Sequence, residues 1–171
     1  MGKTTVLTVL GVSLRGSEKN PSTVVVLDAQ TAEILDLKTF LDDEGLLEMV
    51  RGKNPDELII SNGSPMSLPQ GLHCLDCEHA CESVDQAEWK KGRRSELEMS
   101  RMGISCFFTN KRTIIRPLIE RGIQLKRKLI EEGYGDSVIE VFPHASKVVL
   151  FGDGVPPKKD SLEYMKEHLP P

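Results

Sequence analysis

Nowhere does this chain string together the roughly 20 apolar residues that a membrane-spanning helix needs. The start, Met1-Gly2-Lys3-Thr4-Thr5, leads straight into a strand-like run and lacks the apolar core of a signal peptide. It also lacks the upstream glycine and strand that would make Gly2-Lys3-Thr4-Thr5 the tail of a phosphate-binding loop. There is no internal repeat and no low-complexity segment. An excess of positive charge is missing too: the formal net charge is −4 and the isoelectric point is near 5.6. That balance argues against bulk electrostatic affinity for nucleic acid. A cytoplasmic protein without a membrane partner is the expectation.

With 171 residues, 39% of them hydrophobic and 28% charged, the chain is long enough to bury a core, and 1–171 reads as one domain. Val6–Val12 is rich in β-branched residues, Val24–Asp28 forms a second strand, and Ile34–Leu37 returns after a polar turn as the third. Asp42 or Asp43 can cap a helix carrying Leu46, Leu47, Met49 and Val50, which stops before Gly52. Leu58–Ser61 is a fourth strand. Residues 64–112, rich in Pro, Gly, Cys and charge, read as an insertion with some helix near Val84–Met99. Apolar residues from Ile114 to Leu129 then recur at helical spacing, and Gly133-Tyr134-Gly135 ends that helix. Val138–Phe142 is the fifth strand, and Leu162–Leu169 a short last helix.

Three hairpin-joined strands followed by helix-linked strands imply an α/β protein with a mixed five-stranded sheet flanked by helices. This is the element order of a ribonuclease-H-like fold, with the Cys-rich insertion after the fourth strand. Ligands of open sheets gather beyond the carboxyl ends of the parallel strands. That directs attention to Ser13, to Asn62 and Gly63, and to Glu140. Glu140 interrupts an apolar strand, and alternation puts it on one face with Val138 and Phe142. An ionised carboxylate there costs several kcal/mol unless it is paired or binds a cation. The plain alternative is an outward glutamate on a half-exposed strand.

Leu10-Gly11-Val12-Ser13-Leu14, Ser64-Pro65-Met66-Ser67-Leu68-Pro69, Arg121-Gly122-Ile123 and Val138-Ile139-Glu140-Val141-Phe142-Pro143-His144-Ala145 occur in that order. As a set they resemble a family of predicted nucleases of ribonuclease-H-like fold, a domain of unknown function. Its members show a Gly-Ile-Asp first strand, an Asp-Ala-Pro-Leu-Ser-Leu-Pro fourth strand and an Ile-Glu-Val-Tyr-Pro fifth strand. The resemblance implies nucleic acid as partner and a catalytic set at Glu140, Ser13 and Asn62 using magnesium or manganese. Yet Ser13 stands where the first aspartate is expected and Gly63 at the second, with Asn62 beside it. The family's C-terminal helix with a further aspartate has no counterpart before Pro171. Two-metal phosphodiester cleavage needs several carboxylates holding two ions about 4 Å apart. Neutral Ser and Asn are weak magnesium ligands. The expected activity is therefore hydrolysis that is weakened or lost.

His73-Cys74-Leu75-Asp76-Cys77-Glu78-His79-Ala80-Cys81 packs three cysteines and two histidines into one polar loop. Cys74, Cys77 and Cys81 with His79 can hold a structural zinc, His73 or Cys106 being other fourth ligands. An iron–sulfur cluster fits the spacing less well; free thiols or one disulfide are the plain alternatives. Where the family carries an Arg-x-Asp/Glu pattern after the insertion, Arg94 with Glu96 is the match, making Arg94 a phosphate-binding candidate; a salt-bridged surface helix is the plainer and preferred reading. Lys90-Lys91-Gly92-Arg93-Arg94 and Lys126-Arg127-Lys128 are candidate basic faces or simply solvated helix surface. His144 can serve the cleft or merely pack. The alternative to a nuclease-derived site is a non-catalytic, zinc-stapled scaffold that binds a partner through its insertion. In that case Glu140 is only hydrogen-bonded.

Overall fold

The computed structural model describes residues 7–17, 19–75, 92–110 and 112–152. Five strands, β1 (Thr8–Ser13), β2 (Ser22–Asp28), β3 (Ile34–Phe40), β4 (Leu58–Asn62) and β5 (Val138–Glu140), form one sheet in the order β3-β2-β1-β4-β5. β2 runs antiparallel to both β1 and β3, whereas β1, β4 and β5 are parallel. The α/β class and mixed five-stranded sheet follow the sequence reading, and so do the three early strands.

Among the described residues four α-helices accompany the sheet: α1 (Asp43–Val50), α2 (Arg94–Arg101), α3 (Arg116–Glu131) and α4 (Pro143–Phe151). Asp42 caps α1 by accepting from Gly45 N at 3.0 Å. α4 was not expected. Pro143 ends β5 because it cannot donate to the ladder, but the same fixed φ suits the first turn of a helix, and Pro143 occupies that turn. β5 is correspondingly shorter than the expected Val138–Phe142. The expected helix at Leu162–Leu169 lies outside the described residues. Among those residues no helix is long and apolar enough to cross a membrane.

Register fixes which side chains share a face. Lys38, Val24, Val12, Asn62 and Glu140 are successive cross-strand partners and line one row; Leu37, Val25, Gly11, Ser61 and Ile139 line the next, on the opposite face. Leu10, Val12, Val24, Leu58 and Ile60 bury themselves against Leu46, Leu47 and Val50 of α1 and Leu125 and Leu129 of α3. Fully burying such a side chain contributes about 1.5–3 kcal/mol, so this face supplies most of the apolar stabilisation.

An ionic clamp ties α3 to the sheet edge. Arg121 donates through Nε to Asp43 Oδ1 at 2.9 Å, through Nη1 to Arg15 O at 2.8 Å, and through Nη2 to Leu41 O at 2.9 Å. Lys128 reaches the other oxygen of Asp43 at 3.1 Å. Thus Arg121, noticed in sequence as part of a motif, is a buried structural residue that satisfies two loop carbonyls at once.

Candidate functional site

The parallel strands β1, β4 and β5 all end at the same edge. Beyond β4 and β5 lies a cleft of about 180 Å³, with Pro65, Met99, Phe107, Ile115, Leu118 and Phe142 among its apolar walls. Arg93, Glu96 and Glu140 are its charged residues.

Glu140 reaches this cleft from the last position of β5, with its side chain 30% exposed. Its Oε2 accepts from Met66 N at 2.8 Å and from Arg93 Nη1 at 2.7 Å, and Oε1 lies 2.6 Å from the same nitrogen. The Met66 donor is delivered by the turn that follows β4. Asn62 Oδ1 accepts from Ser64 N at 3.3 Å and Ser64 Oγ at 3.0 Å, bending the chain back over the strand end. α3 presses directly on this turn at Gly122. A Cβ there would stand 2.3 Å from Pro65 O and 2.8 Å from Ser64 Oγ.

Arg93 precedes the first turn of α2, and Glu96 reaches back to its backbone N–H at 2.9 Å, in the manner of a capping box. Glu96 is 1% exposed and accepts three further bonds: from Arg93 Nε at 2.7 Å, Thr109 N at 2.8 Å and Thr109 Oγ1 at 2.5 Å. Four donors satisfy a carboxylate that burial would otherwise penalise heavily. Gly92 makes the approach possible. Its φ of +93° suits glycine, and a Cβ would meet Glu96 Oε2 at 2.6 Å.

Arg93 therefore lies between a buried and a half-exposed carboxylate. Burial by itself would lower its pKa, but Glu140 and then Glu96 more than reverse this, and the guanidinium is held above its ordinary value. Cys106, a free thiol lining the same cleft, lies 3.6 Å from Glu96 O. Burial and then the negative charge of Glu96 push its pKa up, against a smaller opposing effect of Arg93.

The expected site residues are only partly assembled here. Ser13 pairs with Thr23, one residue beyond Val12, so it falls on the face opposite Asn62 and Glu140 and is exposed. Asn62 is Glu140's neighbour in register but is 1% exposed, and its oxygen is occupied by Ser64. Asn62 Nδ2 has no acceptor among the described residues. Arg94, the phosphate-binding candidate, is exposed on the first turn of α2. The guanidinium in the cleft belongs to Arg93, one position earlier, where the N-cap points into the cleft. His144 is exposed and sets its ring edge-on to Phe142, centroids 6.0 Å apart.

Sequence reasoning missed Arg93, Thr109 and the Met66 N–H. The available signal was the Gly92-Arg93-x-x-Glu96 spacing, an N-terminal capping pattern in which the three-residue step brings Arg93 and Glu96 together.

These donors do not fit a two-ion centre. Each carboxylate already receives a cation's hydrogen bonds, Ser13 faces away, and Asn62 has no free oxygen lone pair directed outward. Of the proposed zinc ligands, Cys74 is disulfide-bonded, and an oxidised sulfur offers no thiolate to a metal. Cys77, His79 and Cys81 lie outside the described residues. Among the described residues no group of three or more His, Cys, Asp or Glu side chains is placed to hold an ion. Comparison of the chain with protein-family models, curated proteins and solved structures finds no match.

Proposed function

We propose that this chain is a ribonuclease-H-like domain of the predicted-nuclease family in which metal-dependent phosphodiester hydrolysis is weakened or lost, and that its strand-end cleft acts as a non-catalytic binding site. The element order, with three meander strands, a helix and two further parallel strands, supports the fold assignment. The observation that carries the functional reading is Arg93 seated on Glu140, the one acid retained among the family's expected positions. A divalent ion at Glu140 would have to displace a guanidinium that two carboxylates hold, and it would sit beside that positive charge. Nucleic acid is the partner that nuclease ancestry implies. The cleft's charge, two carboxylates against one guanidinium, gives a phosphodiester little attraction. Its mostly apolar walls suit an apolar side chain or a small apolar ligand better.

Manganese titration by calorimetry, with wild type and Glu140→Gln side by side, tests this. The expected result is the same heat from both proteins, and no manganese-dependent cleavage of DNA or RNA. Saturable binding that vanishes in Glu140→Gln, together with cleavage, would overturn the proposal. The zinc-stapled scaffold is the second proposal for the insertion over 64–112, with Cys74, Cys77, Cys81 and His79 as ligands. It requires Cys74 to be reduced. Metal analysis of protein purified under reducing conditions decides it: one zinc per chain supports the staple, and none removes it.

A further inference from the structure

Among the described residues β3 is an edge strand, paired to β2 on one side only. It carries more exposed apolar surface than an edge strand normally tolerates: Ile34, Leu35 and Leu37 are all exposed, Leu37 at 66%. Its free side has a defined hydrogen-bonding phase. Leu37 N donates to Oδ1 of the preceding residue, Asp36, at 2.8 Å, so that N–H faces away from β2. Alternation then directs the backbone groups of Leu37 and Thr39 outward. Val26 pairs with Asp36 and Leu27 with Ile34, leaving Leu35 as an extra residue, so regular pairing is confined to the strand's middle.

We propose that β3 pairs antiparallel with β3 of a second copy of this chain, about a two-fold axis through Leu37. Phase and charge together select this register. Outward residues must pair with outward residues, which leaves symmetric axes at Asp36, Leu37 or Lys38. An axis at Asp36 sets Asp36 against Asp36, and one at Lys38 sets Lys38 against Lys38. Only the axis at Leu37 places Asp36 opposite the second copy's Lys38, twice by symmetry. Both side chains are available: they are about half exposed and meet each other across 2.8 Å within the strand. Pairing exchanges the Leu37 N–H from Asp36 to the second copy's Leu37 carbonyl. The row Leu37–Val25–Gly11–Ser61–Ile139 is thereby extended across the axis with Leu37 facing Leu37. The sheet becomes continuous through two chains, with neither copy's β3 edge left open.

Sedimentation velocity over a concentration series, in reducing buffer so that no intermolecular disulfide contributes, tests this. Wild type should pass from 19.0 kDa to twice that mass. Lys38→Asp makes the strand all-acidic and Asp36→Lys makes it all-basic. Each substitution sets like charges opposite one another and should weaken self-association by about ten-fold or more. Mixed together, the two variants should form a heterodimer, because the acidic strand then faces the basic one at both contacts. Lys38 is exposed and Asp36 partly exposed, and circular dichroism confirms that each variant is folded. The proposal is overturned by a wild type that stays monomeric throughout, by variants that still dimerise as wild type does, or by a mixture that stays monomeric.

Discussion

Replacing Glu96 by Gln isolates the electrostatic part of the cleft network without removing its bulk. Glu96 has two donors on each oxygen: Arg93 N and Thr109 N on one, Arg93 Nε and Thr109 Oγ1 on the other. A glutamine can keep its oxygen toward the two backbone N–H groups. Its amide nitrogen then faces Thr109 Oγ1, which can rotate to accept, and Arg93 Nε, which cannot. The net loss is one charge-assisted bond, about 1.5–3 kcal/mol, with some further cost for a donor facing a donor. Because Glu140 still holds Arg93, the larger penalty for stranding a buried charge, about 3–5 kcal/mol, does not apply in full. The expected destabilisation is about 2–3 kcal/mol, which lowers the melting temperature by roughly 5–10 °C for a chain of this size. Glu140→Gln, at the half-exposed end, should cost only about 1 kcal/mol. Urea unfolding of both variants measures this order directly. A Glu96→Gln loss within about 0.5 kcal/mol of zero, or a larger loss at Glu140 than at Glu96, would refute the claim that the buried carboxylate organises the cleft.

Arg121→Met should destabilise by about 3 kcal/mol or more, since it orphans two loop carbonyls and removes the main partner of buried Asp43; the urea midpoint reads it. Gly122→Ala should cost about 1–3 kcal/mol by forcing the Ser64–Pro65 turn away from α3. Because that turn carries Met66 N to Glu140, exchange of the Met66 amide with deuterium should accelerate in the same variant. Alkylation of Cys106, followed by peptide mass spectrometry, should show a pH midpoint above that of an ordinary thiol. The folded protein holds this thiol proton more tightly. The resulting stabilisation is full below the unfolded thiol pKa of about 8.5, and is lost as pH rises through the higher folded value. A Cys106 midpoint at or below the ordinary value would contradict its burial in the cleft wall beside Glu96.

Periodicity and turn chemistry carried the sheet. Val24–Asp28 and Ile34–Leu37 flank a polar turn, and β-branched runs at β1 and β4 have no competing helical pattern. Glu140 was legible for a different reason: a charge inside an apolar strand stands out against its neighbours. α4 was not legible because Pro143 is read first as a strand terminator, and only the chain's direction after it shows that it begins a helix. Arg93 was hidden among five consecutive residues containing four cations, where spacing alone does not say which one turns inward. Ser13 was misplaced for a geometric reason. Being at the end of β1 is a sequence property, but the face on which it falls depends on register with β2 and β4, a non-local quantity.

On the nuclease ancestry proposed above, a neutral Gly63 at the end of β4 and Arg93 seated on Glu140 form one electrostatic arrangement. A carboxylate cluster at strand ends is self-repelling and is held together by the divalent ions it binds. A glutamate without acidic neighbours or an ion to share needs a counter-charge from elsewhere. Here a guanidinium supplies it, and that guanidinium is oriented by a second carboxylate with four donors of its own. Adding an acid beside Glu140, for example by Gly63→Asp, should therefore not create ion binding while Arg93 remains. A Cβ at position 63 meets nothing closer than 3.6 Å, so the substitution is sterically open. Manganese calorimetry on Gly63→Asp, and on Gly63→Asp combined with Arg93→Met, separates the two causes. Binding in the double variant alone is the expected outcome, and binding in the single variant would show that Arg93 does not guard Glu140.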